Sequence, residues 1–95
     1  MVAAGFIIIH LQIPACRSLK EKRGRLKPVL ERITRHLGLS AAEVDEMDKW
    51  QDAIIACSIV SNSKTHNQRM LQKIPQFIQD HFPDIEILDQ KIELF

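Results

Sequence analysis

The segment from Arg17 to His36 holds the densest chemistry of this chain: eight cations (Arg17, Lys20, Lys22, Arg23, Arg25, Lys27, Arg32, Arg35) against two acids (Glu21, Glu31), a net +6. Clustered Lys and Arg bind phosphate backbones, with affinity that comes from counterion release and carries little sequence information. On a helical wheel Lys20, Arg23 and Lys27 line one edge of an apolar stripe, Arg25 and Arg32 line the other, and Arg35 sits at the back. Part of this charge is self-neutralised. Glu21 with Arg25 and Glu31 with Arg35 are favourable pairs four residues apart, and Lys27 with Glu31 is the weaker orientation. A solvated helix face therefore competes with an anion-binding one. A finer version puts the anion at a helix start, where free N–H groups at Leu19 to Lys22, the helix dipole, Ser18, Lys20 and Arg23 would converge on a phosphate, with Cys16 and Arg17 in the loop before it. Ser18 as a plain helix cap is the alternative. The candidate anion or RNA ligands are thus Arg17, Ser18, Lys20, Lys22, Arg23 and Lys27.

The remaining residues carry five cations and ten acids, a net −5, so the whole chain sums to +1. A generally basic nucleic-acid coat is excluded, and only a local one is left. Trp50 follows an acidic turn of Glu43, Asp45, Glu46 and Asp48. The carboxylate spacing fits no hard-metal loop and Lys49 interrupts it, so Trp50 is expected to fold onto the core or to make a subunit contact. His10, His36, His66 and His81 form no pair at ligand spacing with each other or with Cys16 and Cys57, so neither metal nor cofactor is expected. Stacking of RNA bases on a sheet needs two or three aromatics; the strands offer Phe6 and Phe95, and the chain has no Tyr. Any RNA contact is then expected through backbone charge.

These groups must be positioned by a small scaffold. A chain of 95 residues with 45% hydrophobic and 26% charged residues is an ordinary single domain spanning 1–95. It is large enough for one core and too small to enclose a large cofactor. Ala3 to Ile13 joins three isoleucines to an alternation of Ile9, Leu11 and Ile13 against His10 and Gln12, which predicts a strand ended by Pro14. Ser18 and Glu21 form a capping box that starts a helix at Leu19, and Leu19, Leu26, Leu30, Ile33 and Leu37 give it a core-facing stripe. Gly38 stops it. Pro28 predicts a kink or a weakened first half near Gly24 to Pro28.

Leu39 to Asp52 is ambiguous, because Ser40 with Glu43 is a second capping box while Leu39 to Asp45 also reads as a short edge strand. Ala53 to Val60 is a buried strand, and Ser61-Asn62-Ser63 turns the chain and caps a second helix carrying Met70, Leu71, Ile74, Phe77 and Ile78, with a kink at Pro75. Ile85 to Phe95 alternates Leu88, Ile92 and Leu94 against Asp89, Lys91 and Glu93 as a final strand. The order β-α-(β)-β-α-β predicts an α+β, ferredoxin-like fold: a four-stranded antiparallel sheet with two helices on one face. The other face stays uncovered, with Phe6, Ile8, His10 and Gln12 outward, and an apolar patch of this kind meets a partner. Phe6, Ile8, His10 and Trp50 are the candidate interface of a homodimer.

Ser18-Leu19-Lys20-Glu21-Lys22-Arg23, Ala42-Glu43-Val44-Asp45, Trp50-Gln51 and Val60-Ser61-Asn62, in this order and spacing, resemble the YlxP-like family of small bacterial proteins. The resemblance covers nearly the whole chain. It implies a ferredoxin-like fold and so a strand, not a helix, at Leu39 to Asp45. The frequent placement of such genes beside those for transcription, translation initiation and ribosome assembly implies an RNA-related setting. Pro75 and the acidic turn at Asp45 to Asp52 depart from the family pattern.

Acylphosphatases share the split topology, and Arg17 stands where their loop needs an Arg, but Pro14 to Ser18 lacks the glycines of a phosphate cradle and no activated nucleophile is evident. The expected function is a non-enzymatic binding protein associated with RNA or the translation machinery through the basic first helix. The alternatives are a homodimeric protein-interaction module on the open sheet face and a small-anion or acylphosphatase-like site at the start of the first helix. With no cationic leader before Arg17 and no apolar run of about 20 residues, the cytoplasm is expected and a membrane partner is not.

Overall fold

The computed structural model describes Met1–Phe95. Its elements are β1 (Ala3–Gln12), α1 (Leu19–Leu37), β2 (Ser40–Asp45), β3 (Asp52–Ser61), α2 (Lys64–Gln72), α3 (Ile74–His81) and β4 (Glu86–Leu94). The sheet order is β2-β3-β1-β4 with every neighbouring pair antiparallel. On β1 the alternation holds throughout: Ile7, Ile9 and Leu11 are fully buried under the helices, while Phe6, Ile8, His10 and Gln12 are half-buried on the open face. Leu26, Val29 and Ile33 of α1 and Leu71, Ile74 and Ile78 of α2 and α3 join these strand residues in one core, so all the helices lie on the same face. No helix is long and apolar enough to cross a membrane.

Ser40–Asp45 forms a strand because its partners are distant. Ser40, Ala41 and Ala42 pair with Ser58, Cys57 and Ala56 of β3, and this ladder overrides the local capping signal. Pro28 does not interrupt α1, which runs as one helix of 19 residues. The carbonyl that its ring crowds belongs to Gly24, four residues back, and the packed Leu26, Val29 and Ile33 hold the segment on the sheet. Pro75 acts more strongly: the second helix divides at Lys73 into α2 and α3, with Pro75 in the first turn of α3, where its missing N–H is tolerated.

The last strand departs from its simple alternation. Leu11 pairs with Ile87 and His10 with Asp89, so Leu88 is an extra residue in a bulge. Ile87 takes the position facing the core and Leu88 remains 49% exposed. Gly5 sits where β1 meets β4, and a Cβ built there would lie 2.8 Å from Leu94 Cδ2 and 3.2 Å from the Glu93 carbonyl oxygen. Gly38 ends α1 in the left-handed region at φ 70°, its N–H bonded to the Thr34 carbonyl.

Candidate functional site

Antiparallel topology brings the end of β1, the start of α1 and the turn between β2 and β3 to the same end of the sheet. Half of the expected capping box forms there: the Glu21 N–H donates to Ser18 Oγ at 3.0 Å and the Lys22 N–H to the Ser18 carbonyl as the first helical bond, while the Glu21 carboxylate lies 3.7 Å from Arg25 instead of on the Ser18 N–H. Ser18 therefore caps α1, and its hydroxyl already accepts a bond. Two non-glycine residues at this end adopt left-handed backbone, Ala15 at φ 60° and Glu46 at φ 61°. Such conformations persist only where neighbours over-determine them. Around Glu46 those neighbours are its own N–H bonded to Asp45 Oδ1 at 2.8 Å and a lysine on its carbonyl.

That lysine is Lys22, and it corrects the sequence expectation. Lys22 is 1% exposed, so it is unavailable to a phosphate in solution. Its ammonium reaches from α1 beneath the helix to the β2–β3 turn, donating to the Glu46 carbonyl at 2.7 Å and lying 2.8 Å from Glu43 Oε2. The Glu43 contact is an ion pair by proximity and not a well-aligned hydrogen bond. Burying an ammonium is costly unless it is paired and hydrogen-bonded, and both conditions are met here. The sequence carried a signal for this. Lys22 stands four residues before Leu26 and seven before Val29, on the stripe that packs into the core.

Arg25 is also engaged by the fold. Its Nη1 donates to the Pro14 carbonyl at 2.8 Å and its Nη2 to Asp84 Oδ2 at 3.0 Å, tying α1 to the loops at either side. The β2–β3 turn is held against the β1–α1 loop by two further bonds. The Ile13 N–H donates to the Gln51 carbonyl at 2.8 Å, and Gln51 Nε2 donates to the Cys16 carbonyl at 3.4 Å. The motif residues Lys22, Glu43 and Gln51 are thereby structural.

The other predicted anion ligands stay at the surface. Arg17, Lys20, Arg23 and Lys27 are exposed. Arg17, Lys20 and Arg23 take part in no ion pair, and Lys27 has only Glu31 at 3.8 Å. Within the acidic turn Glu46 is paired with Lys49 at 2.6 Å, Asp52 shares a hydrogen bond with His10 Nε2 of β1 at 2.8 Å, and Asp45 and Asp48 have no cation partner. The hydrogen bond and charge of Glu46 raise the Lys49 pKa, and this side chain is exposed. Trp50 does not fold onto the core: it is 53% exposed on the turn. Of the expected interface residues, Phe6, Ile8 and His10 share the open sheet face, whereas Trp50 stands on the turn at its end.

Residues 4–92 match the family model described as a protein of unknown function, DUF503. The chain belongs to the DUF503 family. Over 91 residues this DUF503 chain is 37% identical to the protein of Bacillus subtilis (strain 168) called "Uncharacterized protein YlxP", an alignment covering 96% of this chain and 98% of that one. The YlxP-like resemblance of the chain is thus established. Among solved structures it is similar to the de novo designed protein Foldit4, with a TM-score of 0.55 at 14% identity over 100% of this chain and 97% of that one. It is also similar to a de novo designed protein with ferredoxin fold, LFR1 1, with a TM-score of 0.56 at 8% identity, covering 100% of this chain and 84% of that one. These likenesses concern the fold, which is ferredoxin-like.

Proposed function

We propose that this DUF503 protein is a non-enzymatic, cytoplasmic RNA-binding protein that contacts the phosphate backbone through the exposed cations of α1 and the loop before it. The observation that carries this reading is the row Arg17, Lys20, Arg23 and Lys27, exposed and almost free of internal acid partners. Counterion release from about four phosphates gives a slope near −0.7 per contact on a single strand, or roughly −3 in all, which is about a 50-fold loss of affinity between 50 and 200 mM salt. Fluorescence anisotropy with a labelled single-stranded RNA checks this. The paired substitution Lys20→Glu and Arg23→Glu lowers affinity and flattens the slope by roughly half. Absence of binding at 50 mM salt, or binding indifferent to salt, refutes the proposal.

A second reading, a homodimer, is favoured by the uncovered sheet face. Phe6 and Phe95 place their rings 5.8 Å apart there, and Val60 is 72% exposed beside them. Contiguous apolar surface of this kind meets a protein partner. Sedimentation should then report a dimer that Phe6→Asp dissociates while RNA affinity is kept; a monomer at every concentration removes this reading.

A further inference from the structure

We infer that Trp50 is a stacking platform for one unpaired nucleobase, which narrows the RNA ligand to single-stranded segments whose phosphates run along Arg17, Lys20 and Arg23. The inference rests on the RNA-binding reading and adds the class of RNA. Stacking on the sheet is poorly served by Phe6 and Phe95, but the turn supplies an indole that the core does not use.

The turn holds Trp50 on both sides. Before it, the Lys49 N–H donates to the Glu46 carbonyl at 3.1 Å, and that carbonyl also receives the buried Lys22 ammonium at 2.7 Å. After it, Gln51 accepts from the Ile13 N–H and donates to the Cys16 carbonyl. An exposed aromatic on a fixed backbone loses little conformational freedom when a ligand covers it. The bond from Gln51 to Cys16 also decides what stands beside the indole. Trp50 precedes Gln51 and Arg17 follows Cys16, so the aromatic and the first free cation of the basic row flank one hydrogen-bonded pair.

A flat ring on a turn that is bonded to the loop carrying the free cation Arg17 fits a ligand that carries both a π-face and phosphates. A duplex hides its base faces and offers only phosphates, whereas an unpaired nucleotide presents both. Two carboxylates of the turn are compensated, Glu43 by Lys22 and Glu46 by Lys49, and Asp52 shares a hydrogen bond with His10. Asp45 and Asp48 have no cation partner, so the phosphates are expected along Arg17, Lys20 and Arg23 rather than over the turn.

Trp50 is the only tryptophan and the chain has no tyrosine, so intrinsic fluorescence reads this site alone. Dodeca-uridylate added at 50 mM salt should quench it, and a 12-base-pair RNA duplex should not. By anisotropy, Trp50→Ala should weaken dodeca-uridylate binding about 5- to 150-fold with the salt slope unchanged, as loss of one stacked base does. Trp50→Phe should keep most of the affinity, and circular dichroism checks that both variants are folded. Dodeca-uridylate binding without quenching, or with Trp50→Ala as tight as the parent, overturns the stacking and leaves the backbone-charge reading intact. No anisotropy change with any RNA at 50 mM salt overturns both. Dissociation of a dimer by Trp50→Ala, with RNA affinity unchanged, overturns the stacking in favour of a protein contact.

Discussion

Replacing Lys22 by Met keeps the length of the buried stem and deletes only its ammonium, so it isolates what that charge does. Two acceptors lose their partner: the Glu46 carbonyl at 2.7 Å and the Glu43 carboxylate at 2.8 Å. Removing one member of a buried ion pair costs roughly 3–5 kcal/mol, and a hydrogen bond to a charged group contributes about 1.5–3. The Glu43 side chain is 19% exposed, so water can rehydrate part of it, and the lower end applies, about 3 kcal/mol. For a domain of this size that is a fall in Tm of roughly 12–24 °C. Urea titration at pH 7 should show the lower midpoint with an unchanged m-value. Adding Glu43→Leu should recover most of the loss, because apolar replacement of a whole buried pair is close to neutral, leaving about 1 kcal/mol for the unsatisfied Glu46 carbonyl. The salt slope of RNA binding should stay that of the parent, since a buried ammonium has no counterion to release. A loss below about 1 kcal/mol, no recovery in the double variant, or a flattened salt slope would each return Lys22 to the surface and refute the reasoning.

Gly5→Ala should cost about 1–2 kcal/mol, or roughly 5–15 °C in Tm, because two of the atoms its Cβ meets are side-chain methyls that can shift but the third is the Glu93 carbonyl oxygen, 3.2 Å away in the adjoining strand. Burial pushes the Cys57 thiol from 9.0 up to about 12. The folded state therefore holds its proton where the unfolded chain releases it: the stability linked to this group is complete below pH 9 and is lost as pH rises toward 12, at up to about 1.4 kcal/mol per pH unit. Urea midpoints of the parent and of Cys57→Ala, compared at pH 8 and pH 10.5, should converge as pH rises; a constant gap contradicts the buried neutral thiol.

Local rules served well where a residue's neighbours in sequence are also its neighbours in space. The cap at Ser18, the stop at Gly38 and the inward face of β1 are cases, each decided within a few residues. They misled where a distant element chose. Ser40 and Glu43 read locally as a helix start, yet Ser40 pairs with Ser58 and Glu43 turns to Lys22. Leu88 reads as a core residue by simple alternation, and a single bulge moves that role to Ile87. Of the two expectations for Trp50, folding onto the core or a subunit contact, the first fails, because the bonds on both sides of it hold its backbone at the rim.

The charge split shows why counting cations overstates a binding surface. Of the eight cations between Arg17 and His36, the fold engages two: Lys22 inside, and Arg25 on Pro14 and Asp84. Neither can neutralise a phosphate without abandoning a contact that fixes the start of α1. Arg32 and Arg35 lie a further one to three turns along the helix, and Arg32 stands over the Phe82 ring at 5.9 Å. The row that remains is Arg17, Lys20, Arg23 and Lys27, and this is why the expected slope corresponds to about four contacts rather than eight. The lysine removed from that row has a role in the same site all the same. By gripping the Glu46 carbonyl it holds the turn that carries Trp50, so on the proposed stacking its charge would act on the ligand through the position of an aromatic ring. At a temperature where Lys22→Met is still folded, dodeca-uridylate should then bind more weakly with an undiminished salt slope, the pattern of lost stacking and not of lost charge.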